Sequence, residues 1–238
     1  MGSFEHSFSA PTQTLSFDGL LFDFDGTIVD STEAVVKFWH RLANERGLDA
    51  EEILHYSHGR RTIEVLGNLW PEAATQDKVN ELEATIVSDF GENCIVLPGA
   101  AALMSEMNQH NVPWAVVTSG TYVLAGGWIR KLELSHPKTM VTADMVTNGK
   151  PHPMPYLMGR TKLGLPETAQ MCVFEDAPSG IVSGKKAGMT VIALATTHSI
   201  DRLKDAGADI IVKNLESVVF KKFEDGKVVL EVSNALVN

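Results

Sequence analysis

Leu20-Leu21-Phe22-Asp23-Phe24-Asp25-Gly26-Thr27-Ile28-Val29-Asp30 begins as an apolar run and ends in two aspartates, a glycine and a threonine. The run reads as a buried strand, and a side-chain period of two puts Asp23 and Asp25 on one side. Two adjacent carboxylates repel, so this spacing is costly unless a cation or a proton separates them. Gly26 allows a tight backbone, and Thr27 offers a hydroxyl and an amide to an anion. A strand ending in a polar turn is common by itself. Its meaning depends on what the rest of the chain brings beside it.

Directly downstream the periodicity changes from strand to helix. A helix is expected from about Asp30, with Glu33 in capping-box position and Val35, Phe38, Trp39 and Leu42 on one face, stopped by Gly47. Ile63, Leu66 and Trp70 mark a second helix from Thr62, ended by Pro71. Val79, Leu82, Ile86 and Phe90 mark a third from Thr75, ended by Gly91. Residues 31–96 are too long for a simple crossover, so they read as a helical insert joined to the core through Ile28–Ser31 and Val96–Gly99. Between two of its helices, Ser57-His58-Gly59-Arg60-Arg61-Thr62 sets a glycine beside two arginines, a pattern suited to reading an anion or a hydroxyl. His55 and His58 lack a third partner and do not read as a metal site.

From Pro98 onward helices and strands alternate. Trp114–Val117 is an apolar strand running into Thr118-Ser119-Gly120 and then a helix, which offers hydroxyls and free helix amides to a phosphate. Asn148-Gly149-Lys150-Pro151-His152-Pro153 is a loop that its prolines stiffen around a lysine. Met171–Asp176 is a buried strand ending in Glu175 and Asp176, and further strands follow near Thr190–Ala195 and Asp209–Val212. Such alternation indicates an α/β fold, a doubly wound parallel sheet. Asp225-Gly226 between two β-rich runs predicts a terminal hairpin.

Composition narrows the partners. The 238 residues carry a net charge of −10, which disfavours nucleic acid and anionic membranes and suits a bound cation. Two distant cysteines, Cys94 and Cys172, lack metal-ligand spacing and fit a reducing compartment. Residues 1–16 read as a mobile tail without signal-peptide character, and no apolar stretch is long enough to span a bilayer. A cytoplasmic protein is expected.

In an open parallel sheet, ligands bind beyond the carboxyl ends of the strands. Asp23 and Asp25, Thr118 and Ser119, and Glu175 and Asp176 all fall at such ends, with Lys150 in a loop on the same rim. Asp23-x-Asp25-Gly26-Thr27, the strand ending at Thr118, Gly149-Lys150-Pro151 and Glu175-Asp176 resemble, in order, the four motifs of the haloacid-dehalogenase-like (HAD) phosphatases. The insert is similar to the helical cap of that superfamily. Ser57-His58-Gly59-x-Arg61-Thr62, Trp114-Ala115-x-x-Thr118-Ser119-Gly120, Gly149-Lys150-Pro151-His152-Pro153 and Phe174-Glu175-Asp176-Ala177-Pro178 resemble most the fungal glycerol-1-phosphatases and 2-deoxyglucose-6-phosphatases.

The resemblance implies a Rossmann-like HAD core, residues 17–30 and 97–238, with residues 31–96 as cap. It implies a Mg²⁺-dependent phosphomonoester hydrolase acting on a small polyol or sugar phosphate through an aspartyl-phosphate. Asp23 is then nucleophile and metal ligand. Asp25 is the proton carrier and lends the metal its backbone carbonyl, and Asp176 and Glu175 are the remaining metal acids. Thr118 and Lys150 stabilise the transferring phosphoryl group, assisted by Gly26, Thr27, Ser119 and Gly120. His58, Gly59 and Arg61 face the alcohol from the cap. The bond before Pro151 is expected to be cis. A monomer acting on a small phosphorylated metabolite is expected. The main alternative is a sugar phosphomutase of the β-phosphoglucomutase type. Dehalogenation does not need the second aspartate or the metal acids; a receiver domain lacks the cap, and a noncatalytic sensor does not need the reactive groups.

Overall fold

The computed structural model describes residues 7–57 and 59–237. The chain starts with β1 (Gln13–Phe17) and β2 (Gly19–Phe22). A short β3 (Val29–Asp30) leads into α1 (Thr32–Arg46), α2 (Ala50–Ser57), α3 (Thr62–Leu69) and α4 (Gln76–Phe90). The chain returns through β4 (Ile95–Val96), which pairs antiparallel with β3. Alternation follows: α5 (Ala100–Gln109), β5 (Trp114–Val117), α6 (Tyr122–Lys131), β6 (Met140–Val141), α7 (Met154–Lys162) and β7 (Met171–Glu175). It continues with α8 (Pro178–Lys186), β8 (Thr190–Leu194), α9 (Ile200–Asp205) and β9 (Ile210–Val212). The last two strands are β10 (Val218–Glu224) and β11 (Lys227–Val232), joined through Asp225 and Gly226, both at positive φ as a type I′ turn requires.

Six strands form one parallel sheet in the order β6-β5-β2-β7-β8-β9. The chain winds outward from β2 in both directions, so a switch point lies beside the carboxyl end of β2, where α/β sheets open a crevice. Alternation along the strands divides the core into two layers. Leu20, Phe22, Trp114, Val116 and Phe174 pack into one, and Phe22 stacks on Phe174 with ring centroids 4.4 Å apart. Leu21, Ala115, Val117 and Val173 pack into the other, against Tyr156 and Ile181. Every position of β2 is buried, so its register has no freedom to slip.

Three expectations need correction. Residues 13–16, assigned to a mobile tail, belong to β1, which pairs with β11 in a separate three-stranded sheet. A residue pattern alone does not announce a partner more than two hundred positions away. The capping box expected from Asp30 and Glu33 does not form: the N-cap is Ser31, whose hydroxyl donates to the Asp25 carboxylate, Asp30 Oδ1 accepts the Thr32 amide at 3.0 Å, and Glu33 pairs with Lys37 at 2.7 Å. The central strand also ends at Phe22, before the aspartates. Asp23 still donates its amide to the Phe174 carbonyl, but the chain then folds into a turn in which Thr27, Ile28 and Val29 all direct amides at Phe24. That turn, rather than the strand pleat, orients Asp23 relative to Asp25.

Candidate active site

Asp23 lies immediately past β2 and is only 6% exposed. The cis peptide Lys150–Pro151, as expected, lies in the loop before α7. The Lys150 ammonium donates to Asp23 Oδ1 at 2.5 Å and to Glu175 Oε1 at 2.8 Å. Burial pulls the lysine's pKa down, but the Asp23 and Glu175 carboxylates outweigh it and hold it above the ordinary value. Burial raises the Asp23 carboxyl well above the usual range; Lys150 opposes the rise, while Glu175 and Asp176 add to it. One ammonium thus pairs with two of three clustered buried acids.

Ligand oxygens of Asp23, Glu175 and Asp176 lie within 4.8 Å of one another. This oxygen-only set of buried carboxylates fits a hard divalent cation. The three acids are not equivalent. Glu175 Oε1 accepts from Lys150 and from the Tyr156 hydroxyl at 2.9 Å, and Oε2 accepts from the amides of Asp176 and Ala177 at 2.9 and 2.8 Å. Four donors fill the roughly four acceptor positions of a carboxylate, so Glu175 is saturated as an anchor for Lys150. Asp176 is held differently: Thr197 Oγ1 donates to its Oδ2, and the neighbouring Thr196 hydroxyl donates to the Gly26 carbonyl at 2.5 Å.

Two glycines are required by this crowding. A Cβ on Gly26, at φ 88°, would collide with the Asp176 carboxylate, and one on Gly180 would collide with that of Glu175. Gly180→Ala is therefore expected to displace Glu175. The expected cost is about 1–3 kcal/mol of stability, read by urea unfolding, together with at least tenfold lower phosphate release.

A cavity of about 250 Å³ opens over these groups beneath α1–α4. Asp23, Asp25, Lys150, Glu175 and Asp176 line its floor; Gly59, Ser119 and Gly120 reach it from the sides. Asp25 Oδ1 accepts from Ser31 Oγ at 2.6 Å. The Gly26 amide donates to Val29 and the Thr27 amide to Phe24, so both are used within the turn. Thr27 Oγ1 is buried without a partner among the described residues. Thr118 Oγ1 accepts from the Gly120 amide at 2.9 Å, which shapes the loop that presents Ser119 and Gly120.

Among the insert residues, the expectation for His58 lies outside the described residues. The Gly59 carbonyl accepts from Ser119 at 3.1 Å and from Ser179 at 3.4 Å. Arg61 lies against Gly149, whose Cβ position is 2.6 Å from Arg61 Nε. Its guanidinium donates to Glu64 and to the Val146 and Thr147 carbonyls. Arg61 thus ties the insert to the lysine loop and does not line the cavity, whereas Arg60 does. Sequence reasoning missed Tyr156, Thr196, Thr197 and Glu83. Each acts through a contact distant in sequence, and none has a motif of its own.

The haloacid dehalogenase-like hydrolase family matches residues 20–194. Glycerol-1-phosphate phosphohydrolase 1 of Saccharomyces cerevisiae is 43% identical over 86% of this chain and 85% of its own length. 2-Deoxyglucose-6-phosphate phosphatase 1 of the same yeast is 36% identical over 93% and 97%. Among solved structures, a hydrolase from Pseudomonas syringae superposes with a TM-score of 0.71 at 27% identity, covering 83% of this chain and 94% of that one. The chain belongs to the haloacid dehalogenase-like hydrolases. Within them it is a phosphatase, of the group that includes these two yeast enzymes.

Proposed function

We propose that the protein hydrolyses the phosphomonoester of a small polyol or sugar through an aspartyl-phosphate on Asp23. The observation that carries this reading is the buried contact of Asp23 with Lys150, beside Asp176 and Asp25, under one cavity. Lys150 holds Oδ1 of Asp23, so attack on phosphorus is assigned to Oδ2. The P–O bond to the alcohol breaks as the Asp23–phosphorus bond forms, and Asp25 protonates the leaving alkoxide. Asp25 then takes a proton from the water whose oxygen displaces Asp23 from phosphorus. The Thr118 hydroxyl, the Ser119 amide and Lys150 supply donors for the transferring oxygens.

The acids fit Mg²⁺, which would be held by Asp23, Asp176 and the Asp25 carbonyl, with Glu175 outside the ligand set. Bound there, it would supply positive charge that offsets repulsion between the acids and the phosphate dianion. Residues 31–96 act in this reading as the cap over a core of residues 17–30 and 97–238. The protein is read as a cytosolic monomer. Its two described cysteines are free and buried, which suits a reducing compartment.

The test is a phosphate-release screen with glycerol phosphates, hexitol phosphates, hexose 6-phosphates and 2-deoxyhexose 6-phosphates, with Mg²⁺ and with EDTA. Turnover of at least one ester with Mg²⁺, falling more than a hundredfold in EDTA, is the expected result. No turnover of any ester sinks the reading, and full activity in EDTA removes the metal from it.

A further inference from the structure

The insert contributes one wholly buried charged residue to the cavity lining, Glu83 of α4, and the chemistry described so far gives it no task. Its placement is unusual for an acid. Glu83 Oε1 accepts from Thr62 Oγ1 at 2.6 Å, and Oε2 accepts from the Thr121 amide at 2.8 Å, at the N-cap of α6. These two bonds join α3, α4 and α6, so the carboxylate is locked before any substrate arrives. Among the described residues no lysine or arginine pairs with it. Two of its roughly four acceptor positions remain for the cavity.

Burial holds the Glu83 carboxyl above its ordinary value, the donors from Thr121 and Thr62 reduce that rise, and the nearby Asp25 adds to it. The cavity lining also includes Val35, Trp39, Val65, Ile86 and Leu124, which offer an incoming charge no compensation, while Arg60, the insert's cation in that lining, is solvent-exposed. An uncharged hydroxyl has a use for this acid as an acceptor. A second anionic group does not, because like charges repel strongly in a site of reduced polarity.

We propose that Glu83 sets substrate class at this site: it accepts a hydrogen bond from a hydroxyl of an uncharged polyol or sugar, and it rejects phosphomonoesters whose alcohol carries a second anion. The rejected class includes phosphoglycolate, phosphoglycerate and sugar bisphosphates. The proposal rests on the phosphatase reading above and deepens it. Excluding bisphosphates also separates the site from a mutase, which must bind such a molecule to return phosphate to a sugar.

The experiment compares kcat/KM for glycerol phosphate and for 3-phosphoglycerate in the parent enzyme and in Glu83→Gln, which keeps the shape and an oxygen for the Thr121 amide. The parent is expected to prefer glycerol phosphate by at least tenfold, and the variant to lower that ratio at least tenfold. A merely structural role would lower both values together and leave the ratio unchanged, which overturns the proposal. A parent that treats the two esters within threefold of each other also overturns it, without recourse to the variant. A parent that releases phosphate from no ester in the wider screen overturns the phosphatase reading and this inference with it.

Discussion

Asp23→Asn is expected to lower phosphate release by more than about 10⁴-fold, because in the proposed mechanism it replaces the attacking carboxylate with an amide that cannot form the acyl-phosphate. The fold should survive. Asparagine has the same shape, its oxygen still accepts from Lys150, and burial penalises the aspartate charge that the substitution removes. Steady-state phosphate release, paired with a urea melt, checks both halves. A variant with a native melt and activity within tenfold of the parent would remove Asp23 from the reaction.

The second large effect is on stability. Lys150 is 4% exposed, and its ammonium is shared by Asp23 and Glu175. Lys150→Met keeps the packing volume but leaves two buried acids without their cation. Breaking a buried pair from one side costs about 3–5 kcal/mol, expected here at neutral pH in EDTA. The effect depends on pH with a definite sign. Burial already raises Asp23 above its ordinary value of 3.8, and losing Lys150 raises it further. A carboxyl raised by folding contributes stability below its unfolded pKa and loses it as pH rises through the folded pKa. The gap between parent and variant should therefore narrow as pH falls from 7 towards 4. Urea midpoints across that range measure it, and a gap that widens on acidification contradicts the assignment.

Several elements were legible because their signal is local. The strand Trp114–Val117 has the bounds read from the sequence, and Asp225-Gly226 forms the expected turn. Acidic and hydroxyl signals at three strand ends, with a lysine in a loop on the same rim, pointed to the grouping of Asp23, Lys150, Glu175 and Asp176 that the structure has. What failed was non-local. β1 carries Gln13, Thr14 and Ser16 and becomes a strand because β11 offers it an edge. Asp30 and Glu33 had the spacing of a capping box, yet the helix starts after Ser31, whose hydroxyl donates to Asp25. Of two adjacent arginines, the resemblance favoured Arg61 for the alcohol. In space Arg61 engages core carbonyls, while Arg60 lines the cavity. Glu83 looked like one more charge on a helix until Thr62 and Thr121 closed around it.

The short ladder between β3 and β4 bears on how such an enzyme changes over time. Val29 faces Val96 and Asp30 faces Ile95, so the two ends of the intervening helices lie one strand spacing apart, about 5 Å. A segment whose ends already meet can be lengthened, shortened or exchanged without altering the path of the chain on either side. Glu83 and Arg60 both lie within that segment, whereas Asp23, Lys150 and Asp176 lie outside it. Recombination at this one pair of strands would exchange the helices above the cavity and leave Asp23, Lys150 and Asp176 in place.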